Sequence, residues 1–149
     1  SRPSTSSSSE TRMPRTRLIT VQTTQEITKV KAPTIAMLII CVPKFASLFV
    51  SGTASVVGED SAHLEAFDGQ LTETLRNLAV VVDAAWPGAR PEDLDDWLVY
   101  LPDLSHEEQV LSAIGAGPRV IIRQQGLCRP ELLVEIECAG FRPLNGSGA

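Results

Sequence analysis

Residues 62–85, AHLEAFDGQLTETLRNLAVVVDAA, carry the strongest helical pattern in the chain. Leu64, Phe67, Leu71, Leu75, Leu78, Val82 and Ala85 recur at spacings of three and four, which draws one apolar stripe down a helix. Pro87-Gly88 stops it. Everything on either side reads as strands or turns, so the helix must bury its stripe against a sheet.

On the N-terminal side, Ile35–Val42 and Ser47–Ser51 are apolar runs of strand length separated by Pro43-Lys44, which predicts an antiparallel pair. Leu18–Val21 and Ile27–Val30 are shorter strand candidates, and Thr53–Val57 is a further one before the turn Gly58-Glu59-Asp60. On the C-terminal side Asp96–Leu101 reads as a strand ended by Pro102. Ser105-His106-Glu107-Glu108 has capping-box spacing and opens a short helix closing near Gly115. Arg119–Arg123 and Leu132–Cys138 are the last two strands. In the final one Leu132, Val134, Ile136 and Cys138 face one way and Leu133, Glu135 and Glu137 the other. The order β, β, β, long α, β, short α, β, β predicts an α+β fold: a single mixed or antiparallel sheet with two helices packed on one face.

At 149 residues and 43% apolar content the chain supports one core, with residues 45–142 as the domain, 17–44 as N-terminal strands, and 143–149 as a flexible C-terminus. Residues 1–16 are dominated by Ser, Thr, Arg and Pro and read as an unstructured tail. Only seven residues are aromatic, which leaves packing to Leu, Val, Ile and Ala and makes Trp86 and Trp97 packing residues. The formal charge is −5, a basic arm over 1–31 (net +4) preceding an acidic body (net −9). That balance argues against nucleic acid as a partner. The longest apolar run is too short for a bilayer. Cys41, Cys128 and Cys138 show no metal or disulfide spacing, which points to reduced thiols and a cytoplasmic location. Cys41 and Cys138 alternate with apolar residues and read as core.

The common catalytic signatures are missing, and His63 and His106 read as surface residues. The run 119–137 is the chemically interesting one: Arg119, Arg123 and Arg129 and the thiol of Cys128 lead into a strand with Glu135 and Glu137 on one face. Those carboxylates are either solvated or the wall of a polar cleft. In a cleft, desolvation makes one of them a proton donor and the arginines carboxylate holders. Pattern alone leaves both open.

Four segments in order, Phe49–Gly58, Gln70–Leu78, Val99–Asp103 and Val134–Glu137, resemble the YjgF/RidA superfamily over about residues 45–140. The resemblance implies a homotrimer of chorismate-mutase-like α+β sandwiches working on small molecules without cofactor or metal. Ser51-Gly52-Thr53-Ala54-Ser55 and Leu127-Cys128-Arg129-Pro130-Glu131-Leu132-Leu133-Val134-Glu135-Ile136-Glu137 look most like the C-terminal catalytic part of chorismatases, which hydrolyse the enolpyruvyl ether of chorismate. Chorismatases are longer, with an additional N-terminal half. By this resemblance Glu135 is the catalytic acid, and Thr53, Ala54, Tyr100, Arg119, Cys128 and Arg129 line the substrate pocket. RidA-type proteins, which hydrolyse enamines and imines, instead depend on an arginine whose counterpart is Arg119 after Pro118. Three classes follow: a chorismatase-like hydrolase or lyase, an imine deaminase, and a non-catalytic binding trimer.

Overall fold

A computed structural model describes residues 15–22, 34–42, 45–57, 60–64 and 66–143. Strand β1 (Arg15–Gln22) pairs antiparallel with β2 (Thr34–Val42), and β2 with β3 (Phe45–Ala54). Two short strands, β4 (Val56–Val57) and β5 (Asp60–Ser61), form a separate hairpin. Helix α1 (Phe67–Ala85) follows, then β6 (Asp96–Leu101), helix α2 (Glu107–Ile114), β7 (Arg119–Gln124) and β8 (Glu135–Pro143). The main sheet runs β1-β2-β3-β8-β6-β7. Only β6 and β7 are parallel, so the sheet is mixed. The fold is α+β, as the element order predicts.

The strands alternate as a half-covered sheet requires. Ala46, Leu48 and Val50 of β3, Trp97, Val99 and Leu101 of β6, and Ile136 and Cys138 of β8 are buried. They form one core with Leu71, Leu78, Val81 and Val82 of α1 and Val110 and Ile114 of α2. Both helices therefore cover the same face. The opposite face leaves Phe45, Phe49, Ile121 and Phe141 exposed and carries Glu135 and Glu137 half-buried.

Several boundaries differ from the sequence reading for identifiable reasons. Helix α1 starts at Phe67 and not Ala62, because 60–62 turns back onto β4: the Ala62 amide donates to the Ser55 carbonyl, and His63 takes a left-handed φ of 57°. Leu64 is consequently exposed. The stripe also contains buried polar residues, Gln70, Glu73, Thr74 and Asn77, which periodicity in apolar residues does not reveal. Ser105 does not cap α2. Asp103 accepts the Ser105 amide at 2.9 Å, the chain makes a 3-10 turn over Leu104–His106, and α2 begins at Glu107. His106 is half-buried and stacks on Phe67 with ring centroids 3.8 Å apart.

Strand β8 starts at Glu135 rather than Leu132 and runs on to Pro143, although the side-chain alternation extends back through Leu132 and Val134. Strand β1 begins at Arg15, two residues inside the expected tail, and β1 and β2 extend the main sheet rather than stand apart from it. Thr53 and Ala54 remain in β3, beyond a register shift between Val50 and Thr53, and Val56–Val57 leaves for the hairpin. Ile27–Val30, residues 1–14 and 144–149, and the side chain of Cys41 lie outside the described residues. Trp86 and Trp97 are core residues, with the Arg142 guanidinium 4.5 Å from the Trp86 ring centre.

Candidate functional site

The register assembles the site. Glu135, the first residue of β8, lies opposite Ala54 of β3 on one side and Tyr100 of β6 on the other. Tyr100 in turn lies beside Arg123 of β7. Ala54, Glu135, Tyr100 and Arg123 thus form one row across the open face, supplied by four strands. Glu137, two residues along β8, is on that face too and accepts the Tyr100 hydroxyl at 3.3 Å.

Glu135 lies down on Gly52: a Cβ added to that glycine would collide with the Glu135 carboxyl group. The half-buried carboxyl is pushed above the ordinary carboxylate range, first by loss of water and then by the negative charge of Glu137. The Tyr100 hydroxyl is also pushed up, by burial and by its bond to Glu137, with Arg123 pulling the other way. Among the described residues no ion pair engages Arg123, and it is exposed. Chemically, the row offers a carboxyl whose proton is held more tightly than usual, a phenol held by a second carboxylate, and a guanidinium able to fork onto a substrate carboxylate.

The other sequence candidates are placed differently. Thr53 is buried on the helix side, opposite Ile136, with its hydroxyl donating to the Ser51 carbonyl at 3.1 Å. Arg119 sits four residues from Arg123, about 13 Å along the strand, and grips Asp96 through two of its nitrogens, at 2.6 and 2.8 Å. It lines a shallow hollow of about 460 Å³ with Asp95, Asp96 and Phe141, at the end of β6 away from Tyr100. Arg129 reaches the β4–β5 hairpin, donating to the Ser61 hydroxyl at 3.2 Å, and Ser61 donates to Glu131 at 2.7 Å. Cys128 is an exposed free thiol in the loop before β8, and Cys138 is buried with its thiol pushed far up by loss of water and by the charge of Glu137, which makes it inert. Structure brings Glu135, Ala54 and Tyr100 together and, of the three arginines, sets Arg123 beside them through a β6–β7 register that sequence spacing does not disclose.

The loop feeding Glu135 is pinned from α1. Gln70 donates to the Glu131 carbonyl at 3.0 Å and accepts the Leu133 amide at 2.8 Å. Asn77 donates to the Ala54 and Val56 carbonyls, both at 3.1 Å, which fixes the other side of the row. Among the described residues no group of three or more His, Cys, Asp or Glu side chains is arranged to hold a metal ion, and no helix is long and apolar enough to cross a membrane.

Comparison of the coordinates with solved structures gives the fold a place. A chorismatase aligns over 73% of this chain at 24% identity with a TM-score of 0.61. The fold is that of chorismatase and the YjgF/RidA proteins. RidA from an Antarctic Psychrobacter aligns over 80% of this chain and 100% of its own, at 23% identity and TM-score 0.58. A probable translation initiation inhibitor from Rhodopseudomonas palustris aligns over 87% of this chain and 99% of its own, at 17% identity and TM-score 0.62. This chain spans 37% of the chorismatase but the whole of the RidA. No protein-family model matches the sequence, and no curated protein does.

Proposed function

We propose that this YjgF/RidA-fold chain is a small-molecule enzyme in which Glu135 acts as a general acid on a carboxylate-bearing enol ether, in the manner of a chorismatase. The observation that carries the reading is Glu135 itself: half-buried on Gly52, in a row with Tyr100 and Arg123, and pushed toward its protonated form. In this reading Arg123 takes the substrate carboxylate. Glu135 protonates the enol-ether methylene carbon, water adds to the resulting oxocarbenium carbon and gives a proton back to the Glu135 carboxylate, and the hemiketal collapses to pyruvate and the ring alcohol. The chemistry calls on no cofactor.

The site is open on one side, and Phe45, Phe49, Ile121 and Phe141, exposed on the same sheet face, support closure by neighbouring copies in a homotrimer. The free thiols Cys128 and Cys138 support a reducing, cytoplasmic setting. A second reading, an enamine or imine deaminase, is favoured by the full-length match to RidA against the partial match to chorismatase.

The test is incubation with chorismate, following pyruvate and ring acids by chromatography, with Glu135→Gln as control. Pyruvate release that falls by about 10²–10⁴-fold in the variant supports the reading, a barrier change of about 3–5 kcal/mol. Ammonia and a keto acid from amino-acid imines, with no pyruvate from chorismate, support the deaminase. Neither reaction shifts the reading to a different substrate or to a non-catalytic binding trimer.

A further inference from the structure

Two glutamates two residues apart on one strand face share the site, and the general-acid reading uses only one. Their surroundings are unequal. Glu137 receives the Tyr100 hydroxyl at 3.3 Å, whereas Glu135 rests on Gly52 and has no hydrogen-bond donor placed on its carboxyl among the described residues. A donor aimed at a carboxylate favours the charged form; burial without one favours the neutral form. Where two carboxyl groups share one strand face, a donor on one favours it as the anion and leaves the buried one without a donor as the better proton carrier.

The other groups facing the pair do not reverse this order. From β3 come Ser51, Gly52 and Ala54, none of them ionisable. From β6 come Tyr100 and Asp96, the latter gripped by Arg119 of β7. Among the described residues the remaining cation facing them is Arg123, which lies next to Tyr100, one strand further from β8.

We propose that Glu137 is a positioning residue: clamped by the Tyr100 hydroxyl, it stands as the fixed anion that assigns the transferable proton to Glu135. This rests on the reading of Glu135 as the acid and extends it to why Glu135, and not its neighbour, takes that part. Tyr100 thereby holds Glu137 and does not itself transfer the proton.

The experiment is a pair of titrations that need no substrate. The chain has a single tyrosine, so phenolate absorbance has one source. Glu137→Gln is expected to bring the Tyr100 midpoint down toward its ordinary value of 10.0. Carbon-13 NMR of the glutamate carboxyl groups, with Glu135 assigned by its loss in Glu135→Gln, is expected to show the Glu135 midpoint falling back in Glu137→Gln. Tyr100→Phe, which keeps the ring but removes the clamp, gives a smaller fall in the same direction. A Glu135 midpoint unmoved in folded Glu137→Gln overturns the proposal, as does a Tyr100 midpoint that ignores that substitution. If Glu137→Gln does not fold, Tyr100→Phe decides alone: an unchanged Glu135 midpoint overturns it. Should chorismate be turned over, the basic limb of the pH–rate profile moves to lower pH in Glu137→Gln, a shift that a purely structural role does not produce. Absence of all turnover sinks the enzymatic reading while the titrations still decide the role of Glu137.

Discussion

A glutamate in an exposed strand is ordinarily solvated on both sides, and Glu135 departs from that because Gly52 leaves space for its carboxyl on β3. Gly52→Ala tests this cheaply. The added methyl displaces only the end of a flexible side chain, so stability should change by about 0.5 kcal/mol. Turnover, if present, should fall about 10²-fold as the carboxyl is pushed off the row. A second residue-scale expectation concerns pH. Folded Glu135 binds its proton more tightly than it does unfolded. Stability is therefore fullest below the unfolded value of about 4.5 and declines as pH rises through the higher folded value. Glu135→Gln should remove that decline, and denaturant unfolding across pH checks it: parallel wild-type and variant curves contradict the raised affinity. Glu135 was legible as a candidate from alternation in β8. Arg123 was legible only as one of three arginines, and the parallel pairing of β6 with β7 is what singles it out.

At the scale of elements, α1 both closes the core and holds the site's backbone. Its apolar periodicity is what made the helix readable, but Gln70 and Asn77 do the positioning. Gln70→Leu removes both partners of the Glu131 carbonyl and the Leu133 amide. Leaving part-buried backbone groups unpaired should cost about 2 kcal/mol, read as a lower denaturation midpoint, and should reduce turnover by freeing the approach to Glu135. If stability is unchanged, water replaces the side chain there and α1 is not the anchor of that loop. The helix starts five residues after the periodicity predicts because His63, in a left-handed conformation, ends a return of the chain that no local pattern announces.

At the scale of the whole molecule, helices cover one sheet face and, among the described residues, none covers the other. Ile121, 61% exposed beside the polar row, and Phe49 and Phe141, in edge contact at 6.1 Å, leave an apolar surface that water does not favour. The proposed trimer accounts for it. Light scattering should give three times the chain mass, and Ile121→Asp should give the monomer mass and reduce turnover with little change in the fold. A wild-type monomer contradicts a site completed between subunits.

The sequence by itself determined the order of the two helices and of the strands that follow α1, the α+β class, the polarity alternation of β8 and therefore the face that Glu135 shares with Glu137, because all of these depend on local periodicity. Only the tertiary structure decided which strands lie next to which. That pairing put Thr53 on the helix side and Arg119 against Asp96, and it set Arg123 and Tyr100 in line with Glu135. The physical reason is that side-chain direction along a strand is set every second residue by the chain itself, whereas register across a sheet is set by cross-strand packing and hydrogen bonds between residues distant in sequence.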